Sequence, residues 1–203
     1  HLALPPATAD ELPELVRNQA MRESSAVTED SLLDFVPLPD ESGDRSVTAM
    51  ALAHEMLDEI RATCTAAGVT PKRMVVRPYA ATSLVTRLAD PADGICLLIS
   101  RFAEEVDLTV VDQGNVIYWR TVQLPSGTDP DAATDTLLVE LRRTLMVVQN
   151  QTDGTPIGRI CILGDAQTHD ELAAKIADQL AIEPHLIEPF RAVAPSIMAT
   201  FVA

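Results

Sequence analysis

The chain has 203 residues, 47% of them hydrophobic and 22% charged, which is enough apolar material to bury one large core or two small ones and excludes a disordered chain. Thirty acidic residues against 15 basic ones give a net charge of −15, which would repel a phosphate backbone and excludes nucleic acid as a partner. No apolar run approaches the roughly 20 residues that cross a bilayer, and His1 to Thr8 lacks the basic flank and apolar stretch of an export signal. A start at His1 rather than Met predicts that upstream sequence is missing.

Leu2 to Leu4 reads as the tail of a strand. Thr8 and Asp10 then offer helix caps ahead of Leu12, Leu15, Val16, Gln19 and Ala20 at helical spacing. Leu32 to Leu38 reads as a short strand and Ser46 to Leu52 as its hairpin partner, with the polar Asp40 to Asp44 as the turn between them. From Ala53 to Ala67, Met56, Leu57, Ile60 and Cys64 recur every three to four positions, and Gly68 stands where a C-cap glycine belongs. Helix, strand, strand, helix over residues 1–70 make a small α+β subdomain.

The remainder, 71–203, reads as an α/β domain. Met74 to Arg77 is a candidate strand, and Tyr79 to Leu88 a helix with Ala80, Ala81, Leu84, Val85 and Leu88 inward. Three strands follow, Ile95 to Ser100, Val106 to Asp112 and Asn115 to Leu124, and the Gln113-Gly114 turn joins the last two into an antiparallel meander. A long amphipathic helix, Ala132 to Gln149, leads to Arg159 to Leu163, a continuous apolar strand of the kind buried on both faces. Gly164 ends it, a helix spans Thr168 to Leu180, and a short strand lies near His185 to Ile187. Cys64, Cys96 and Cys161 are an odd number in unlike settings, with no Cys/His spacing for zinc, so buried thiols in a reducing compartment fit them best.

Several stretches carry a resemblance, in unbroken order from about Leu4 to about Pro189. They are "ELPELVRNQAMRE" followed by "LDFVPL", then "RMVVRPYAATSLV", "GNVIYWRTVQLP", "LVELRRTLMVVQNQ" and "RICILGDAQTHDELAAKIADQL". Together they resemble PilM-type pilus assembly proteins of the actin-like superfamily, and the cytoplasmic domain of type II secretion platform proteins is a related group. The resemblance implies an actin-like, ribonuclease H-like second domain with a mixed sheet and flanking helices, preceded by a small α+β subdomain, in a fragment that lacks the first lobe. It further implies a cytoplasmic protein held at the inner membrane by binding a short cytoplasmic segment of a membrane partner, without inserting itself; a homo-oligomer is compatible with it.

Actin-like ATPases hold ATP and Mg with two hairpins, each an Asp-x-Gly run followed by Ser or Thr, whose backbone N–H groups cradle phosphates. The resemblance places the first hairpin upstream of Leu2 and the second at Ser100 to Glu105. The latter has no glycine, two carboxylates, and Arg101 as its one group able to pair with a phosphate. A Gly-Gly run near the nucleoside is reduced to Gly164, which a strand-to-helix turn needing a permissive backbone explains better. Gly164 and Arg101 are therefore the candidate remnants of a nucleotide site, and no cofactor is expected in this fragment; an ATPase or kinase completed by its upstream part is the alternative. Glu104, Glu105 and Asp107 read as a solvated turn rather than an acid/base pair, and His169 and Asp170 as first-turn helix residues. Either Tyr118 or Trp119, on alternating faces of one strand, packs in the core. Leu12, Leu15 and Val16 are candidates for partner contact, although packing of their helix on the adjoining sheet accounts for the same residues.

Overall fold

A computed structural model describes residues 1–38, 45–88, 94–125, 130–152, 154–164 and 166–188. The chain divides into two compact units, His1–Met74 and Val75–Ala203.

In the first unit, β1 (Leu2–Leu4), β2 (Leu32–Pro37) and β3 (Arg45–Leu52) form an antiparallel sheet in the order β1-β3-β2. Alternation along the strands turns Leu33 and Phe35 of β2 and Val47 and Ala49 of β3 to one face. There they meet Val16 and Ala20 of α1 (Leu12–Glu23), with Leu2 and Leu4 closing the cluster. The helix is not capped by Thr8 or Asp10 as the sequence suggested. Glu11 occupies the cap position, and its carboxylate accepts from the Thr8 N–H at 2.9 Å and the Thr8 hydroxyl at 2.7 Å. The second helix, α2 (His54–Ala66), ends as expected: Gly68 takes φ +68°, its N–H reaches Thr65 O, and the Val69 N–H reaches Cys64 O at 2.8 Å. Of the inward face expected for it, Leu57 is buried and Met56 is 52% exposed. The turn expected over Asp40 to Asp44 lies outside the described residues.

The second unit opens on α3 (Arg77–Leu88), and the strand expected over Met74 to Arg77 is not formed. Among the described residues no strand pairs with Met74 to Val76, and Pro78 suits the first turn of a helix because its missing N–H would be unpaired there anyway. The inward face of α3 carries Pro78, Thr82 and Val85; Ala80 points to solvent. Then β4 (Ile95–Phe102), β5 (Glu105–Asp112) and β6 (Asn115–Gln123) form the expected antiparallel meander, with Gln113 and Gly114 both at positive φ in the β5–β6 turn. After α4 (Pro130–Gln151), β7 (Ile157–Leu163) pairs parallel to β4; after α5 (Ala166–Leu180), β8 (His185–Ile187) pairs parallel to β7. The sheet order β6-β5-β4-β7-β8 is the third-second-first-fourth-fifth arrangement of a ribonuclease H-like domain.

Both faces of this sheet are covered. Leu97, Ile99, Val106, Leu108, Val110, Ile160 and Ile162 lie under Leu137, Leu138, Leu141 and Val148 of α4 and Leu172 and Ile176 of α5. On the other face Cys96, Leu98, Val111 and Cys161 meet Val85 of α3. The apolar run of β7 is thereby buried on both sides, with Ile160, Cys161 and Ile162 each at 0% exposure. Tyr118 is the aromatic residue of β6 that packs against the main core, and an Arg120–Glu140 ion pair ties β6 to α4. Leu141 lies at the centre of the α4 contact, so Leu141→Ala is expected to lower stability by about 2–5 kcal/mol, read as a lower urea midpoint with unchanged slope.

Candidate functional site at the carboxyl ends of the parallel strands

Ligands of open α/β sheets bind beyond the carboxyl ends of the parallel strands. Here the last pair of β4 and β7 is Ser100 with Leu163, so Arg101 and Gly164, one step further on, lie at the same end of the sheet. The structure thus brings the two candidate remnant residues together. Leu12, Leu15 and Val16 belong to the first unit, where Val16 is fully buried, Leu12 packs on the same cluster and Leu15 is half-buried.

The hairpin that would cradle phosphate is tighter than the sequence suggested. Phe102 pairs with Glu105, so Arg101 and Phe102 continue β4 and the turn is Ala103-Glu104 alone. Ala103 sits at φ +54°, a conformation that favours glycine, and the Arg101 Nε donates to Ala103 O at 3.2 Å. The one cation of the turn is folded back on its own backbone.

Glu105 and Asp107 do not form a solvated turn. Two residues apart on one strand, they share a face and converge on Arg77, the first residue of α3. Arg77 Nη2 reaches Glu105 Oε2 at 2.8 Å and donates to Asp107 Oδ1 at 3.3 Å. Its Nε lies 3.0 Å from Asp107 Oδ2, an ion pair off the hydrogen-bonding line, and the guanidinium stacks 4.8 Å from the Phe102 ring centroid. Asp107 is 1% exposed and also accepts from the Thr121 hydroxyl at 2.7 Å. The Arg77 guanidinium, followed by Gln123, holds the Glu105 carboxyl below its ordinary range. With Arg77 engaged by two carboxylates, this end of the sheet offers an incoming phosphate no unpaired guanidinium from α3. Sequence reasoning missed the arrangement because Arg77 and Asp107 lie 30 residues apart and Arg77 was assigned to a strand.

Gly164 has a second role. At φ +154° its N–H donates to Ile187 O at 3.1 Å, and a Cβ built on it would lie 2.2 Å from His169 Nε2. His169, on the first turn of α5 as the sequence suggested, is a packed side chain, 6% exposed. Its imidazole fills the space over Gly164. Cys161, also buried, accepts a hydrogen bond from Cys96 at 3.7 Å between sulfurs; that donation and burial push the Cys96 thiol up. Among the described residues no group of His, Cys, Asp or Glu could hold a metal ion. Asp165 lies outside the described residues.

No family model matches the chain, and no curated protein matches it. Solved structures do. A chain of a PilM-PilN type IV pilus biogenesis complex matches at a TM-score of 0.79 and 23% identity, over 95% of this chain and 66% of that one. A Bacteroides thetaiotaomicron protein with an actin-like ATPase fold and unknown function aligns with all of this chain and 68% of its own, at 8% identity and a TM-score of 0.49. The fold and the sheet end define an actin-like, ribonuclease H-like domain preceded by a small α+β unit. Its fold is that of the PilM-PilN chain, as the resemblance in sequence implied, and it spans just under two thirds of that chain's length.

Gly164→Ala is expected to destabilise by about 1–3 kcal/mol through overpacking and strain. Adding His169→Ala should recover the packing part alone, which a double-mutant cycle in urea measures. Because the folded pKa of Glu105 is depressed, its contribution is fully present above the unfolded carboxyl value of about 4.3 and is lost as pH falls through the folded value. Asp131, held low by Lys175, adds to the same slope. The thermal midpoint is therefore expected to drop as the pH falls below the unfolded carboxyl value of about 4.3, and Arg77→Ala to flatten that drop while lowering the midpoint at pH 7.

Proposed function

We propose that this chain is part of a non-catalytic actin-like scaffold on the cytoplasmic side of a type IV pilus or type II secretion platform. In this reading it binds a short cytoplasmic segment of an inner-membrane protein. The observation that carries the proposal is the fold match to the PilM-PilN complex over 95% of the chain. The sheet end supports the non-catalytic part: a glycine-free two-residue hairpin, an Arg77 engaged by Glu105 and Asp107, and an imidazole seated over Gly164. Attachment to the membrane is then indirect, which suits a net charge of −15 that anionic lipids would repel. No helix among the described residues is long and apolar enough to cross a membrane.

Calorimetric titration tests both halves. Mg-ATP added to the full-length protein is expected to give no saturable heat, whereas a peptide copying the cytoplasmic segment of the PilN-like protein of the same genome binds saturably. Mg-ATP binding tighter than about 100 μM, roughly −5.5 kcal/mol, together with turnover, would replace the scaffold with an ATPase or kinase completed by its upstream part.

A further inference from the structure

The two buried thiols of the second unit meet across its central strands. Cys96, near the start of β4, pairs with Arg159, and Cys161 of β7 pairs with Leu98, so the two cysteines are diagonal neighbours. Both side chains leave the sheet on the α3 side, among Val85, Leu98, Val111 and Ile187. Their sulfurs are 3.7 Å apart, with Cys96 6% and Cys161 0% exposed. The ladder between β4 and β7 shifts register between Ile95 and Cys96, which loosens the strand at that position. The third thiol, Cys64, is half-buried on α2 in the first unit.

Cysteines packed merely as small apolar side chains need not touch each other. Here the sulfurs are aimed at one another and need approach by only about 1.7 Å to reach the S–S bond length of about 2.05 Å. We propose that Cys96 and Cys161 are an oxidation site, forming a reversible disulfide that locks β4 to β7 when the protein meets a hydroperoxide. Burial selects the oxidant, because hydrogen peroxide is uncharged and little larger than water whereas bulky disulfides cannot reach either sulfur. Cys161 reacts first: its sulfur accepts from the Cys96 thiol, and that donation holds Cys161 below the ordinary thiol range. Its thiolate attacks one peroxide oxygen, the O–O bond breaks, and a sulfenic acid and hydroxide result. The Cys96 sulfur then attacks the Cys161 sulfur, gives up its proton and displaces the oxygen as water. In sum, two thiols and one hydrogen peroxide give one disulfide and two waters, with two electrons passing from sulfur to peroxide. The bond joins positions 65 residues apart and fixes the register of the central parallel pair.

Mass spectrometry of the folded 203-residue chain after hydrogen peroxide treatment tests this, with Cys64→Ser removing the third thiol. The Cys64→Ser chain is expected to lose the mass of two hydrogens, to yield a cross-linked peptide containing Cys96 and Cys161, and to regain both on reduction. In a Cys96→Ala chain the sulfenic acid on Cys161 has no resolving thiol and is trapped by dimedone, whereas in a Cys161→Ala chain Cys96 stays a thiol at the same dose. In urea titrations the oxidised chain is expected to show an unfolding constant roughly tenfold or more below that of the reduced chain, because the cross-link restricts the unfolded state. Absence of the cross-linked peptide at a dose that oxidises Cys64 in the unsubstituted chain would overturn the proposal, whether the pair stays reduced or each sulfur is oxidised separately to sulfinic acid. A disulfide that leaves the urea midpoint unchanged or lowers it would overturn the lock between the strands.

Discussion

The parallel pairing of β7 with β4 is the constraint on which the rest of the second unit depends. Two apolar strands side by side at the centre of a sheet must be covered on both faces, and that demand recruits α4 and α5 to one side and α3 to the other. Its register also sets the chemistry. With Leu98 opposite Cys161 and Ser100 opposite Leu163, Arg101 and Gly164 come to one edge and the two buried thiols come into contact. A shift of one residue would turn the Ser100 hydroxyl to the α4 side and put apolar side chains where Asp107 now meets Arg77.

At that edge the structure exchanges one kind of electrostatics for another. A phosphate-binding hairpin needs backbone N–H groups left open by glycine and a net positive setting. Here the backbone closes in a two-residue turn, Asp107 is buried while Glu105 stays half-exposed, and the positive partner of both comes from α3. A buried carboxylate such as Asp107 is tolerable only while it is paired. Arg77 is therefore bound to a structural task at the first residue of the second unit's first helix, close to where the chain passes from one unit to the other.

Much of the fold was legible in the residues because it follows from local periodicity. Leu12 to Ala20 at helical spacing, the glycine after α2, the Gln113-Gly114 turn and the unbroken apolar run of β7 each act over a few residues, and each appears where expected. The strand expected over Met74 to Arg77 failed for the opposite reason. A β-branched run specifies a strand only if another strand lies beside it, and Pro78 was free to begin a helix instead.

The candidate site divides in the same way. The sequence by itself determined that the hairpin has no glycine, that one glycine follows β7, and that a mixed α/β sheet with a small α+β unit would form. Only the tertiary structure decided that Asp107 is buried, that Arg77 neutralises it across 30 residues, and that His169 rests on Gly164. Helical and strand periods are written in neighbouring residues, whereas charge pairing and close approach depend on which distant residues the strand register sets face to face.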